Sequence, residues 1–228
     1  MQQLVLDMRL SNGPTLDNFC IGPNAAVLEH LRLWLGQPGA AALRSPVPTY
    51  LWGSSSSGKS HLLKSLQAAL AERGQPAGWL GAADMTTPPF DERWSAVLFD
   101  DVHAFDADRQ QLAFNWFVNA QTHQIAVIAA GSLPPSDLKL RDDLRTRLGW
   151  GHVFALQVLD DPERRNVLRA SAQARGLALS DEVLDYVLTR FSRDLGTLME
   201  LLDVMDGFAL QTRRAITIPL IKTMMNHV

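Results

Sequence analysis

Short apolar runs alternate with longer amphipathic stretches from Val47 to about residue 157 of this chain. Runs bounded by turn residues and too short for helices predict strands at Val47 to Trp52, Gly78 to Gly81, Ala96 to Phe99, Ile125 to Ala129 and His152 to Leu156. After the first run, Leu62, Leu63, Leu66 and Leu70 recur on one helical stripe that stops before Gly74, a plausible C-terminal cap. Strand and helix patterns in alternation predict an α/β fold with a parallel sheet. From Asp160 onward the strand signal is gone. Asp161-Pro162 opens one helix, Ser180 caps a second, a third covers about Asp194 to Gln211, and Thr217 with Pro219 opens a fourth. The expected organisation is a sheet domain over 14–157 and a small all-helical subdomain over 158–228, with residues 1–13 in front of them. Gly36 to Pro48 and Thr86 to Pro89 read as loops, and no internal repeat is present.

The 228 residues, 46% of them apolar, suffice for a core. Lys and Arg number 21 against 24 Asp and Glu, and the net charge of -3 leaves no footprint for direct nucleic-acid binding. Cys20, the single cysteine, excludes an intrachain disulfide and reads as a small buried hydrophobe beside Phe19. No apolar run of about 18 residues and no basic-then-apolar leader are present, so a cytoplasmic protein without membrane partners is expected.

Candidate chemistry begins at Gly53-Ser54-Ser55-Ser56-Ser57-Gly58-Lys59-Ser60, a match to the phosphate-binding pattern G-x4-G-K-[ST]. A Ser-rich surface turn is the bland alternative, but a strand before the pattern and a helix after it supply the context that nucleotide binding needs. Backbone N–H groups of the turn would cradle phosphates, Lys59 would reach the β- and γ-phosphates, and the Ser60 hydroxyl would ligate Mg²⁺. Ala96-Val97-Leu98-Phe99-Asp100-Asp101 is an apolar strand ending in two carboxylates. The first suits the Mg²⁺ shell and the second suits orienting a water, although buried strands also end in Asp at ordinary turns. Ser132 follows another strand and offers either a hydroxyl near the phosphates or a plain turn. Arg147 has two readings: an arginine finger acting in trans on a neighbour's nucleotide, or a helix pair with Asp143 at i-4.

The order of phosphate loop, Asp-Asp strand, polar strand end, Arg-rich box and helical lid resembles the AAA+ ATPases. Thr15-Leu16-Asp17-Asn18-Phe19, Gly58-Lys59-Ser60-His61-Leu62-Leu63, Arg147-Leu148-Gly149-Trp150-Gly151 and Ala215-Ile216-Thr217-Ile218-Pro219 are similar to strings of the DnaA clade, over about residues 14 to 226. The resemblance implies an AAA+ sheet domain with a helical lid, holding ADP or ATP with Mg through the loop residues together with Phe19, His61, Ser132 and Arg193. DnaA continues into a helix-turn-helix domain, which this sequence lacks, so the short form resembles the Hda family of DnaA-related regulators. Gln3, Leu4, Leu6 and Met8 are similar to the clamp-binding motif of that family, and this resemblance makes residues 1–13 an extended tail that orders on contact; an edge strand is the alternative. Where DnaA has an Arg at the start of the third lid helix, this chain has Gly196, with Arg193 three residues earlier either replacing it or lying as a surface charge. What the resemblance implies is an ADP-favoured regulator with weak intrinsic ATPase activity at most. Docked on the DNA polymerase III sliding clamp, it reaches DNA only through that clamp, presents Arg147 to ATP held by the DnaA initiator and so prevents over-initiation. A homo-oligomer is compatible with it. Two alternatives stay open, an autonomous ATPase that loads or remodels a replication protein such as a helicase, and a nucleotide-dependent scaffold.

Overall fold

In the computed structural model, which describes residues 13–36, 44–191, 195–212 and 215–225, the apolar runs form strands, of which those at Ala96–Asp100 and Ala126–Gly131 are buried throughout. β1 (Thr49–Trp52), β2 (Ala77–Gly81), β3 (Ala96–Asp100), β4 (Ala126–Gly131) and β5 (His152–Ala155) make one sheet in the order β2-β3-β4-β1-β5, with every pairing parallel. Side chains of a strand alternate between faces. Ala96 and Leu98 of β3 therefore enter one apolar layer while Val97 and Phe99 enter the other, and β4 divides likewise into Ala126, Ile128 and Ala130 against Val127 and Ala129. Central parallel strands covered on both sides, β3 and β4, read as nearly unbroken apolar runs, whereas the edge strand β5 is largely exposed.

The first layer is closed by α1 (Ala25–Leu35) and α2 (Lys59–Glu72), which contribute Leu28 and Leu31, and Leu62, Leu63, Leu66 and Leu70. The second is closed by α3 (Ala107–Thr122) and α4 (Asp142–Leu148) through Trp116, Phe117, Leu144 and Leu148. The Asp106 carboxylate caps α3 by accepting from the Arg109 N–H at 2.8 Å. Buried Asn24 donates to the carbonyl of Gln157 and accepts from its N–H, both at 2.9 Å, so both polar ends of the amide are satisfied on one backbone residue. Cys20 is half-buried, less enclosed than its composition suggests.

A second compact unit begins after Gln157. It contains α5 (Asp161–Ala174), α6 (Asp181–Arg190), α7 (Leu195–Thr212) and α8 (Ile218–Met225). Asp160 and Glu163 form a reciprocal capping box at the start of α5, each side chain accepting from the other's backbone N–H at 2.8 Å. Ser180 accepts from the Val183 N–H to start α6. Leu168, Leu184, Val187, Leu198, Leu202, Met205, Ile221 and Met224 form the core of this unit. Among the described residues no helix is long and apolar enough to cross a membrane.

Candidate nucleotide site

β1 lies between β4 and β5, and the chain leaving Trp52 crosses the C-terminal ends of the strands, where open parallel sheets leave a ligand crevice. The Gly53 N–H donates to the carbonyl of Gly131 at 3.3 Å, tying the loop to the end of β4. A Cβ on Gly53 would strike the Leu156 carbonyl oxygen. Gly58 sits at φ +93°, a conformation that costs glycine little, and a Cβ there would lie 2.6 Å from Cε2 of Phe19. The loop is thus bounded by backbone on one side and by the Phe19 ring on another. Lys59 is buried and turns back over the loop, donating from Nζ to the carbonyls of Gly53 (2.9 Å) and Ser54 (2.8 Å) and, at 3.5 Å, to Ser57 Oγ. Burial pulls its pKa down, while the charges of Asp101 and Asp100 act the other way.

The Asp100 carboxylate, 8% exposed at the end of β3, accepts from Ser60 Oγ at 3.0 Å. Burial raises its pKa, opposed by that hydrogen bond, by the Asp101 N–H and by Lys64. The next residue, Asp101, takes the left-handed conformation (φ +54°) that Asp tolerates better than most side chains, and its carboxylate is half exposed. One acid is therefore held against the loop and the other stands at the rim. His103 Nδ1, 3.9 Å from Asp101 Oδ1, joins the rim and was not singled out from the sequence. Among the described residues no group of three His, Cys, Asp or Glu side chains is placed to hold a metal. A Mg²⁺ ion here would rely on Ser60, Asp100 and the phosphates themselves, the usual arrangement for that ion.

The string Thr15 to Phe19 acquires a physical reason. Thr15 N–H donates to Asn18 Oδ1 (2.8 Å), Asn18 N–H donates to Thr15 Oγ1 (3.0 Å), and the Asn18 amide also donates to Gly13 O (3.0 Å). This locked turn presents the Thr15 carbonyl to His61 Nε2 at 3.1 Å; since a carbonyl only accepts, His61 carries its proton on Nε2. The His61 and Phe19 rings lie 5.7 Å apart, so both border the loop at the start of α2. Burial lowers the His61 pKa, partly offset by the Thr15 contact. Ser132 directly follows Gly131 and is half-buried at the same end of the sheet. Arg193, Gln3, Leu4, Leu6 and Met8 lie outside the described residues.

Arg147 is not paired with Asp143. Asp143 is taken by Arg141, whose Nε lies 2.7 Å from Oδ1, and Arg145 binds Asp142 at 2.7 Å. Arg141, at the N-cap, reaches the first-turn acid from outside the helix, so the i-4 pairing expected from spacing is not formed. Arg147 instead donates to Gln121 Oε1 at 2.6 Å and stacks its guanidinium carbon 5.4 Å from the centre of the Phe114 ring and 5.9 Å from that of Phe117. Among the described residues it meets no carboxylate within salt-bridge distance. Trp150, one turn on, is 67% exposed.

Comparison with known proteins agrees with these features. The family model for the Hda lid domain matches residues 161–225, the helical unit. An uncharacterised protein of Haemophilus influenzae is 31% identical over 234 residues, covering 99% of this chain and 99% of its own. Domain III of the Thermotoga maritima replication initiation protein DnaA superimposes with a TM-score of 0.74 at 18% identity, over 93% of this chain and 95% of that one. AMPPCP-bound DnaA from Aquifex aeolicus gives 0.67 at 23% identity, over 84% and 64%. The fold is the AAA+ fold of DnaA.

Proposed function

From a chain that belongs to the Hda-like, DnaA-related AAA+ proteins, we propose a replication regulator that holds an adenine nucleotide in its own loop and stimulates hydrolysis of ATP bound to DnaA. The observation that carries this reading is Arg147. A finger has to bring positive charge to a transferring phosphoryl group, and a guanidinium already neutralised by a carboxylate does so poorly. Of the arginines at 141, 145 and 147, the first two have acid partners and Arg147 has a neutral amide and two ring faces. Exposed Trp150 beside it is the kind of side chain that anchors an interface.

In the chain's own site, the Gly53–Ser60 backbone and the Lys59 ammonium would hold the phosphates, with Phe19 and His61 at the border. Ser60 and Asp100 would hold Mg²⁺, which neutralises phosphate charge when bound. Adenine is supported by the AMPPCP that the DnaA relatives carry. By the resemblance, Gly196 in the first turn of α7 stands where DnaA has its phosphate-reaching Arg, and that exchange is the ground for proposing that ADP is favoured. Docking on the DNA-loaded sliding clamp through Gln3, Leu4, Leu6 and Met8, and the resulting restraint on over-initiation, complete the reading by family resemblance. A second reading, autonomous ATPase activity, is favoured by the complete set of Lys59, Ser60, Asp100 and Asp101.

The deciding experiment measures turnover of DnaA-bound ATP with clamp-loaded DNA. Arg147→Ala should lose the stimulation by about 10³-fold or more, and Arg147→Lys should not restore it, because a point charge does not reproduce the planar fork. Full stimulation by the Ala variant, or multiple turnovers by the isolated chain at the stimulated rate, would overturn the reading.

A further inference from the structure

We infer that Gln121 is a positioning residue for Arg147: its amide oxygen aims the guanidinium without neutralising it. The inference rests on the trans-acting role proposed above and names a residue outside every motif in the sequence. Gln121 belongs to the last turn of α3 and Arg147 to the last turn of α4, 26 residues apart, and their side chains meet at 2.6 Å. The Phe114 and Phe117 rings, also from α3, lie beside the same guanidinium. Three α3 side chains thus define where the cation sits.

The chemistry of the contact is selective. A carboxylate at position 121 would orient Arg147 equally well but cancel its charge, as Asp143 does for Arg141 and Asp142 for Arg145. An apolar side chain would leave the charge intact but supply no acceptor to fix the fork. A neutral amide oxygen accepts one N–H and leaves the other guanidinium donors for an anion. The ring faces attract a cation without neutralising it. Phe114 also carries Arg141, 4.7 Å from its centre, yet Arg141 has its acid partner. Orientation without neutralisation is therefore particular to Arg147 among these three arginines.

The test is a mutant cycle in the clamp-loaded DnaA assay, with saturating chain and a separate measurement of complex formation. Gln121→Met keeps the bulk and removes the acceptor; Gln121→Glu keeps the acceptor and adds a counter-charge. Both should leave complex formation unchanged and lower the maximal stimulated rate about ten- to a hundredfold, the scale on which misplacing a catalytic group is felt. The double variant Arg147→Ala/Gln121→Met should be no worse than Arg147→Ala alone, because Gln121 acts only through Arg147. If Gln121→Met keeps the full rate while Arg147→Ala loses it, the positioning role falls and the trans-acting reading stands. A double variant slower than Arg147→Ala alone would show an independent structural role and overturn the inference. Full activity of Arg147→Ala removes both readings.

Discussion

Ser60 Oγ and Asp100 Oδ1 lie 3.0 Å apart, joining the first turn of α2 to the end of β3 across 40 residues of chain. The bond partly satisfies a carboxylate that burial holds above its ordinary pKa of 3.8, so in the absence of a cation the site carries a destabilised charge. This is a cost to the fold at neutral pH that a bound Mg²⁺ would offset.

Asp100→Asn should therefore stabilise the nucleotide-free protein while abolishing Mg²⁺-dependent stabilisation by nucleotide. The sign follows from linkage. Between 3.8 and the raised folded value, the native state holds a proton that the unfolded chain has released, so stability falls as pH rises through that window. The gain from Asn should be full above the raised folded value and vanish as pH drops toward 3.8. Each kcal/mol corresponds to roughly 2–4 °C in Tm for a chain of this size. A lower Tm for the Asn variant at pH 7 would refute the argument.

Lys59→Ala and Ser60→Ala should remove the shift in Tm on adding nucleotide. A ligand at a hundred times its Kd stabilises a fold by about 2.7 kcal/mol, so the wild-type shift is easily measured by scanning calorimetry. An unchanged shift in either variant would move the phosphate site away from this loop.

If Gly196 replaces the phosphate-sensing Arg of DnaA, as the resemblance implies, Gly196→Arg should raise affinity for ATP relative to ADP. A charge-assisted contact to the γ-phosphate is worth about 1.5–3 kcal/mol, or roughly ten- to a hundredfold in Kd. The unmodified chain should bind ADP at least as tightly as ATP, and titration calorimetry with both nucleotides checks each statement.

Trp150→Ala should weaken the complex with DnaA and leave Tm nearly unchanged, since a side chain 67% exposed contributes little to the core. A large drop in Tm would mean that the indole is structural.

Replacing Leu4 and Leu6 together by Ala should remove binding to the clamp and leave Tm within about 1–2 °C, if the motif serves partner binding and not the core. Surface plasmon resonance with immobilised clamp measures the first part, and strong destabilisation would argue for a core strand instead.

The five strands, the phosphate loop, the Asp100-Asp101 strand end and the openings of the lid helices, read at Asp161-Pro162, at the Ser180 cap, near Asp194 and at Thr217 with Pro219, were legible to within a residue or two because each depends on near neighbours in sequence. Apolar runs, caps and turn residues are local. Tertiary structure alone decided which side chains meet across the fold. It set Phe19 against Gly58, His61 on the Thr15 carbonyl and Asn24 on Gln157, pairs that no periodicity relates. Arg147 shows the difference most directly. Helical spacing puts Asp143 within its reach, but Arg141 takes that acid, and the side chain goes to Gln121 on a helix that the sheet alone brings alongside. Spacing along a chain sets which contacts are possible, and packing selects among them by competition for the same partner.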